Sequence, residues 1–178
     1  IVDSLVGSEM CIRDSLLPLI LQSQNFSELD ISPMDQSHFS RQKDVATITY
    51  SRPNLRGRSF GDVVKLNKIW RTGANEANEL RLYSDIEINK TIIVKGAYKI
   101  FTYPKEKEIT FIISSSTKKF GGSSAYDSDK DVLRLNVPIQ KGKESLEAFS
   151  IVFSNINGQP KIHFGWEYIR FDIPFNIL

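Results

Sequence analysis

Hydrophobic positions in this chain recur with a period of two, the spacing that sends side chains to alternate faces of a β-strand. Residues 45–50 read VATITY, β-branched and aromatic. Leu80 and Leu82 alternate with Arg81 and Tyr83. Residues 85–94 read DIEINKTIIV around Asn89-Lys90, which predicts a hairpin. Lys95-Gly96 turns the chain into AYKIFTY, and a charged loop (KEKE) separates that strand from ITFII at 109–113. Leu133, Leu135 and Val137 alternate with Val132, Arg134 and Asn136, as Phe149, Ile151 and Phe153 do with Ser150 and Val152. After the turn cluster NINGQP, Ile162, Phe164, Trp166 and Tyr168 share one face. Phe171 and Ile173 continue on the other parity, so a β-bulge is expected near Ile169 and Arg170. This register predicts Ile162, Phe164 and Trp166 in the core. Lys161, His163 and Glu167 face away or line a site.

No apolar stripe of period 3.6 and helical length interrupts this pattern. Eight or nine short strands with turn signals every 8 to 15 residues predict an all-β fold, a single antiparallel β-sandwich, with a jelly-roll-like arrangement as its refinement. Two irregular stretches, 51–77 and 114–131, are long for a compact domain, and loops of that length tend to carry function. The first includes a short helix at 61–67.

The N-terminus departs from the pattern. Residues 1–15 (IVDSLVGSEMCIRDS) show neither period and resemble a translated sequencing-adapter string, so they are read as a non-native scar. The run LLPLIL that follows reads as the remnant of a signal-peptide apolar region over 16–23, leaving a β-sandwich domain over 30–178. That reading places the protein in the periplasm or outside the cell. No apolar run reaches the roughly 20 residues that a membrane-spanning helix needs. The single Cys, Cys11, falls in the scar and excludes a disulfide framework. With two His in all, neither a metal site nor a cofactor is expected. Asp127, Asp129 and Asp131 alternate, but no Gly or distal Glu completes a calcium loop. His163 is a lone strand histidine, and His38 has no partner nearby in sequence.

Charge concentrates in one window. The chain is net +2, yet residues 41–71 alone carry net +6, with Arg52, Arg58 and Arg71 among their eight bases. The asymmetry points to a small anionic or polar ligand, or to internal acidic partners. Tyr98 and Tyr103 lack the aromatic–basic interleaving of a nucleic-acid surface, so no nucleic acid is expected. Residues 70–77 read WRTGANEA. Trp70 is an aromatic plate, Arg71 a bidentate donor, Asn75 both donor and acceptor, and Glu76 an acceptor or general base. These residues can hold a polar ligand, or Arg71 and Glu76 can form a buried strut that fixes the loop. Pro53 and Gly57 suggest a solvent-facing turn that presents Arg52 and Arg58 to a ligand.

Several pieces of sequence resemble the uncharacterised bacterial family catalogued as domain of unknown function 2911. They are Ser32-Pro33-Met34-Asp35, Tyr50-Ser51-Arg52-Pro53, Gly57-Arg58 and WRTGANEA. Gly96-Ala97-Tyr98, Ala125-Tyr126-Asp127, Asp131-Val132-Leu133-Arg134 and Trp166-Glu167 follow. The family tends to have a Trp-Gly pair before Ala-Tyr, where this chain has Phe120-Gly121-Gly122-Ser123-Ser124. The resemblance implies an exported β-rich protein and brings no established activity. The expected function is a non-enzymatic binding or structural module with a polar site at Arg52, Arg58, Trp70, Arg71, Asn75 and Glu76. The competing expectation is a hydrolase with Glu76 as general base and Arg71 and Asn75 as stabilisers, favoured if Glu76 meets Asp131 or Glu167 across a cleft.

Overall fold

The computed structural model describes residues 27–117 and 126–178. Residues 1–15 and 16–23, expected to be a non-native scar and a signal-peptide remnant, and residues 120–124 lie outside the described residues.

The alternating pattern becomes a six-stranded antiparallel meander. Its strands are β1 (Met34–Ser40), β2 (Asp44–Ser51), β3 (Glu79–Leu82), β6 (Gly96–Pro104), β7 (Glu108–Ser114) and β8 (Asp131–Pro138), side by side in that order. The excursion between β3 and β6 is the expected hairpin, β4 (Ile86–Ile88) and β5 (Thr91–Ile93). Asn89 and Lys90 both adopt positive φ at its tip, as a two-residue turn of matching twist requires. The short β11 (Asn176–Ile177) pairs with β4. Residues 61–67 were expected to be helical; the observed helix α1 is one turn, Phe60–Val63, started by a capping box between Ser59 and Asp62. The β-branched Val64 that follows is extended and ends it.

The second layer is a long hairpin of β9 (Gln140–Ile156) and β10 (Gln159–Pro174), joined through Asn157 and Gly158 at positive φ. Its inner face places Phe149, Ile151, Ile162, Phe164 and Trp166 in one core with Ile48, Leu80, Ile100, Phe111 and Ile113 of the meander. The expected core assignment of Ile162, Phe164 and Trp166 holds, each being about 1% exposed. The parity flip falls slightly earlier than expected. Register shifts flank Glu167, whose φ is positive. Beyond that bulge β10 doubles back. The Phe164 and Phe171 rings stack at 4.5 Å, and Phe175 N–H donates to Pro160 O at 3.1 Å. The chain is therefore all-β and antiparallel, with a six-stranded meander covered by a hairpin. That strand order, rather than a jelly-roll label, describes its topology.

Candidate functional site

The segment YSRP is the corner where the meander is tied to the hairpin. The Tyr50 hydroxyl lies 3.2 Å from Ile151 O and accepts from Ile151 N–H at 2.9 Å; burial raises its pKa. Pro53 O accepts from Phe149 N–H, and Leu55 N–H donates to Glu147 O. Arg52 spends its guanidinium inside the same corner. Nε donates to Phe149 O at 3.0 Å, Nη2 to Ser150 Oγ at 2.8 Å and Nη1 to Asp35 Oδ2 at 3.1 Å. Arg58 turns back on its own loop, donating to Leu55 O and Asn54 O.

WRTGANEA begins as a fragment of strand beside β6. Trp70 and Thr102 exchange backbone hydrogen bonds at 2.7 and 2.9 Å, and the Thr72 hydroxyl reaches Thr102 Oγ1. Trp70 and Thr72 thus face the core. The Trp70 ring stacks on Trp166 at 5.8 Å and meets Phe149 and Phe60 edge-on. Its indole N–H donates to Gly73 O. Gly73 is needed for close approach: a Cβ there would lie 3.0 Å from both Ser51 O and Asn78 Oδ1. Buried Asn78 closes the loop by donating to Thr72 O at 2.6 Å.

Alternation sends Arg71 to the opposite, outer face of the meander. It is half-buried and makes no hydrogen bond or ion pair with the described residues. The Arg71–Glu76 strut therefore does not form among them. Asn75, at positive φ, is exposed and donates to Asp30 Oδ2 at 2.8 Å. Neither carboxylate named as a companion for Glu76 joins it. Glu167 accepts from Phe60 N–H, and Asp131 accepts from Tyr126 and Arg134.

Glu76 instead lines a groove on the meander's outer face with Met34, Thr49, Ser51, Glu79 and Lys99. Residues directly across β3 and β6 make its floor, with Glu79 opposite Lys99. Lys99 is only 6% exposed, and its ammonium lies 3.6 Å from Glu79 Oε2. Arg81 holds the other Glu79 oxygen at 2.9 Å. Burial raises the Glu79 carboxyl, but the Arg81 hydrogen bond and the Lys99 and Arg81 charges outweigh it, leaving the pKa below the ordinary carboxylate value. Glu76 is half-buried and makes no hydrogen bond or ion pair with the described residues. The groove thus combines a neutralised floor with one unspent carboxylate.

Of the six residues expected to form the site, Glu76 is the one that lines this groove. Arg52, Arg58 and Trp70 serve the corner and the core, Asn75 ties the loop to Asp30, and Arg71 lies on the groove's side of the sheet. Glu79 and Lys99 escaped sequence reasoning because each is a polar residue in an alternating strand. Their one signal was Lys99 between Ala97 and Phe101 on a single strand face, an apolar setting for an ammonium.

Compared with known proteins, residues 32–175 match the family model described as "Protein of unknown function (DUF2911)". No curated protein and no solved structure matches the chain.

Proposed function

The chain belongs to the DUF2911 family, and we propose that its outer-face groove binds a small polar ligand without catalysis at that groove. The observation that carries this reading is Glu76: a half-buried carboxylate without a partner among the described residues, at the wall of a concave surface. Such a group is best satisfied by a donor or cation from outside, because burial makes an unmet charge costly. The Glu79–Lys99 pair beneath it is internally neutral, so it supports polar contacts without selecting strongly for either sign. A ligand bearing an amine or a row of hydroxyls suits this lining. Location outside the cytoplasm belongs to the same proposal and rests on the apolar run 16–21.

The test is a thermal-shift screen of small amines, amino acids and sugars, followed by titration of any hit against the wild-type chain and Glu76→Gln. The expected result is weakened binding to Glu76→Gln with unchanged melting temperature. Equal affinity for both chains would overturn the proposed site.

A further inference from the structure

On the other side of the molecule, the outer face of the β9–β10 hairpin carries three side chains in series. Ser154 Oγ lies 2.6 Å from His163 Nε2, and His163 Nδ1 lies 2.7 Å from Asp172 Oδ1. Ser154 comes from β9, and His163 and Asp172 from the two halves of β10. Nine residues of extended strand would separate those halves by about 30 Å. Only the fold-back at the Glu167 bulge brings them together. The carboxylate accepts from Nδ1–H, which fixes the tautomer and leaves Nε2 as an acceptor for the serine hydroxyl. All three residues are partly exposed, with 30% of the His163 side chain and 26% of that of Asp172 open to solvent.

Two neighbours complete the arrangement. Lys161 is the direct cross-strand partner of Ser154, on the same face, and makes no hydrogen bond or ion pair through its side chain with the described residues. Facing Cβ atoms in such a pair are about 5 Å apart, so the ammonium can reach an oxygen bonded to carbon at Ser154 Oγ. Beside His163 runs a groove walled by Val152 and Leu146 and floored by Gly165. A Cβ at Gly165 would lie 2.9 Å from Leu146 Cδ1, so a larger residue there would displace the Leu146 side chain that walls the groove. Arg170, at the groove's end, is spent on Glu167 O, Ile169 O and Glu144 O, so the available charge is that of Lys161.

We propose that Ser154, His163 and Asp172 form a nucleophilic site that hydrolyses small carboxylic esters with short apolar acyl groups. Ser154 Oγ attacks the ester carbonyl carbon while its proton passes to His163 Nε2. The new C–O bond forms, the carbonyl oxygen takes the negative charge beside Lys161, and the ester C–O bond then breaks. His163 returns the proton to the departing alkoxide, releasing the alcohol. Water attacks the acyl-serine with His163 again as base, and release of the carboxylic acid restores Ser154. Asp172 is a positioning residue, acting through the imidazole. The oxyanion contact in this scheme is the Lys161 ammonium.

The full chain is assayed with p-nitrophenyl acetate and, separately, with a fluorophosphonate probe read by intact mass. The expected outcome is one probe adduct, mapped to Ser154 and absent from Ser154→Ala. Ester hydrolysis falls by roughly a hundredfold or more in Ser154→Ala and His163→Ala. Asp172→Asn shifts the pH profile as well as lowering the rate, which a merely structural role would not do. The wild-type adduct decides the matter even if a variant folds poorly. Absence of the adduct, or hydrolysis that survives Ser154→Ala and is lost only with His163, would overturn the proposal.

Discussion

Replacing Trp70 with Ala separates an indole that belongs to the core from one that waits for a ligand. The ring stacks on Trp166 with an interplanar angle of 16°, and meets Phe149 at 5.2 Å and Phe60 at 6.0 Å. Truncating a core Trp costs about 3–5 kcal/mol, the larger values belonging to fully enclosed sites. Trp70 is only partly buried, which lowers the transfer and cavity contributions, while the lost ring pairs keep the cost well above that of a surface change. About 3–4 kcal/mol is therefore expected. At about 2–4 °C per kcal/mol for a domain of this size, the melting temperature falls by roughly 6–16 °C. Thermal unfolding by circular dichroism measures it.

A second readout comes from the stacking itself. Trp70 and Trp166 are the chain's two tryptophans, and excitonic coupling between their stacked indoles is expected to give a paired circular-dichroism band. Trp70→Phe keeps an aromatic ring and most of the stability but removes that band. A Trp70→Ala chain that melts with the wild type would put the indole outside the core. It would also refute the assignment of Trp70 to the inner face beside Thr102.

Arg52→Lys keeps the charge but loses the planar fork that reaches Phe149 O, Ser150 and Asp35 at once, so it should cost about 1–2 kcal/mol in urea unfolding. A neutral result would mean that the corner is held by Tyr50 and the backbone bonds alone. The folded pKa of Glu79 lies below its unfolded value, so its contribution is complete above an unfolded value of about 4.3 and is lost as pH falls through the folded one. Stability of Glu79→Gln, compared at neutral and acid pH, should therefore decline less on acidification than that of the wild type. A steeper decline would reverse the sign and refute the pairing with Arg81 and Lys99.

Strand identity was legible because alternation is local. Leu80 and Leu82, or Ile162 and Phe164, announce their face without reference to any other strand. Pairing is not local, and both sites depend on it. Glu79 meets Lys99 only through the β3–β6 register, across a hairpin excursion of thirteen residues. His163 reads as a lone histidine until β10 doubles back and brings Asp172 to it. The arginines misled for a related reason. A basic window reports that charge is dense, but not whether its acceptors are ligands or carbonyls, and Arg52 and Arg58 find carbonyls at Phe149, Leu55 and Asn54.

WRTGANEA shows why a motif of mixed chemistry resists reading as either site or scaffold. In a strand-like fragment, one residue in two must face the core. Trp70 and Thr72 do so, and Gly73 and Asn78 close the loop behind them. The residues between and after them are thereby held on the outer face. A change at Trp70 or Gly73 therefore disturbs the groove indirectly, by releasing the loop that positions Glu76. Loss of binding in such a variant says nothing about contact with a ligand. Only a substitution that leaves Trp70, Thr72 and Asn78 in place, as Glu76→Gln does, removes the groove's chemistry while keeping its shape. Affinity and melting temperature must therefore be measured together on each chain.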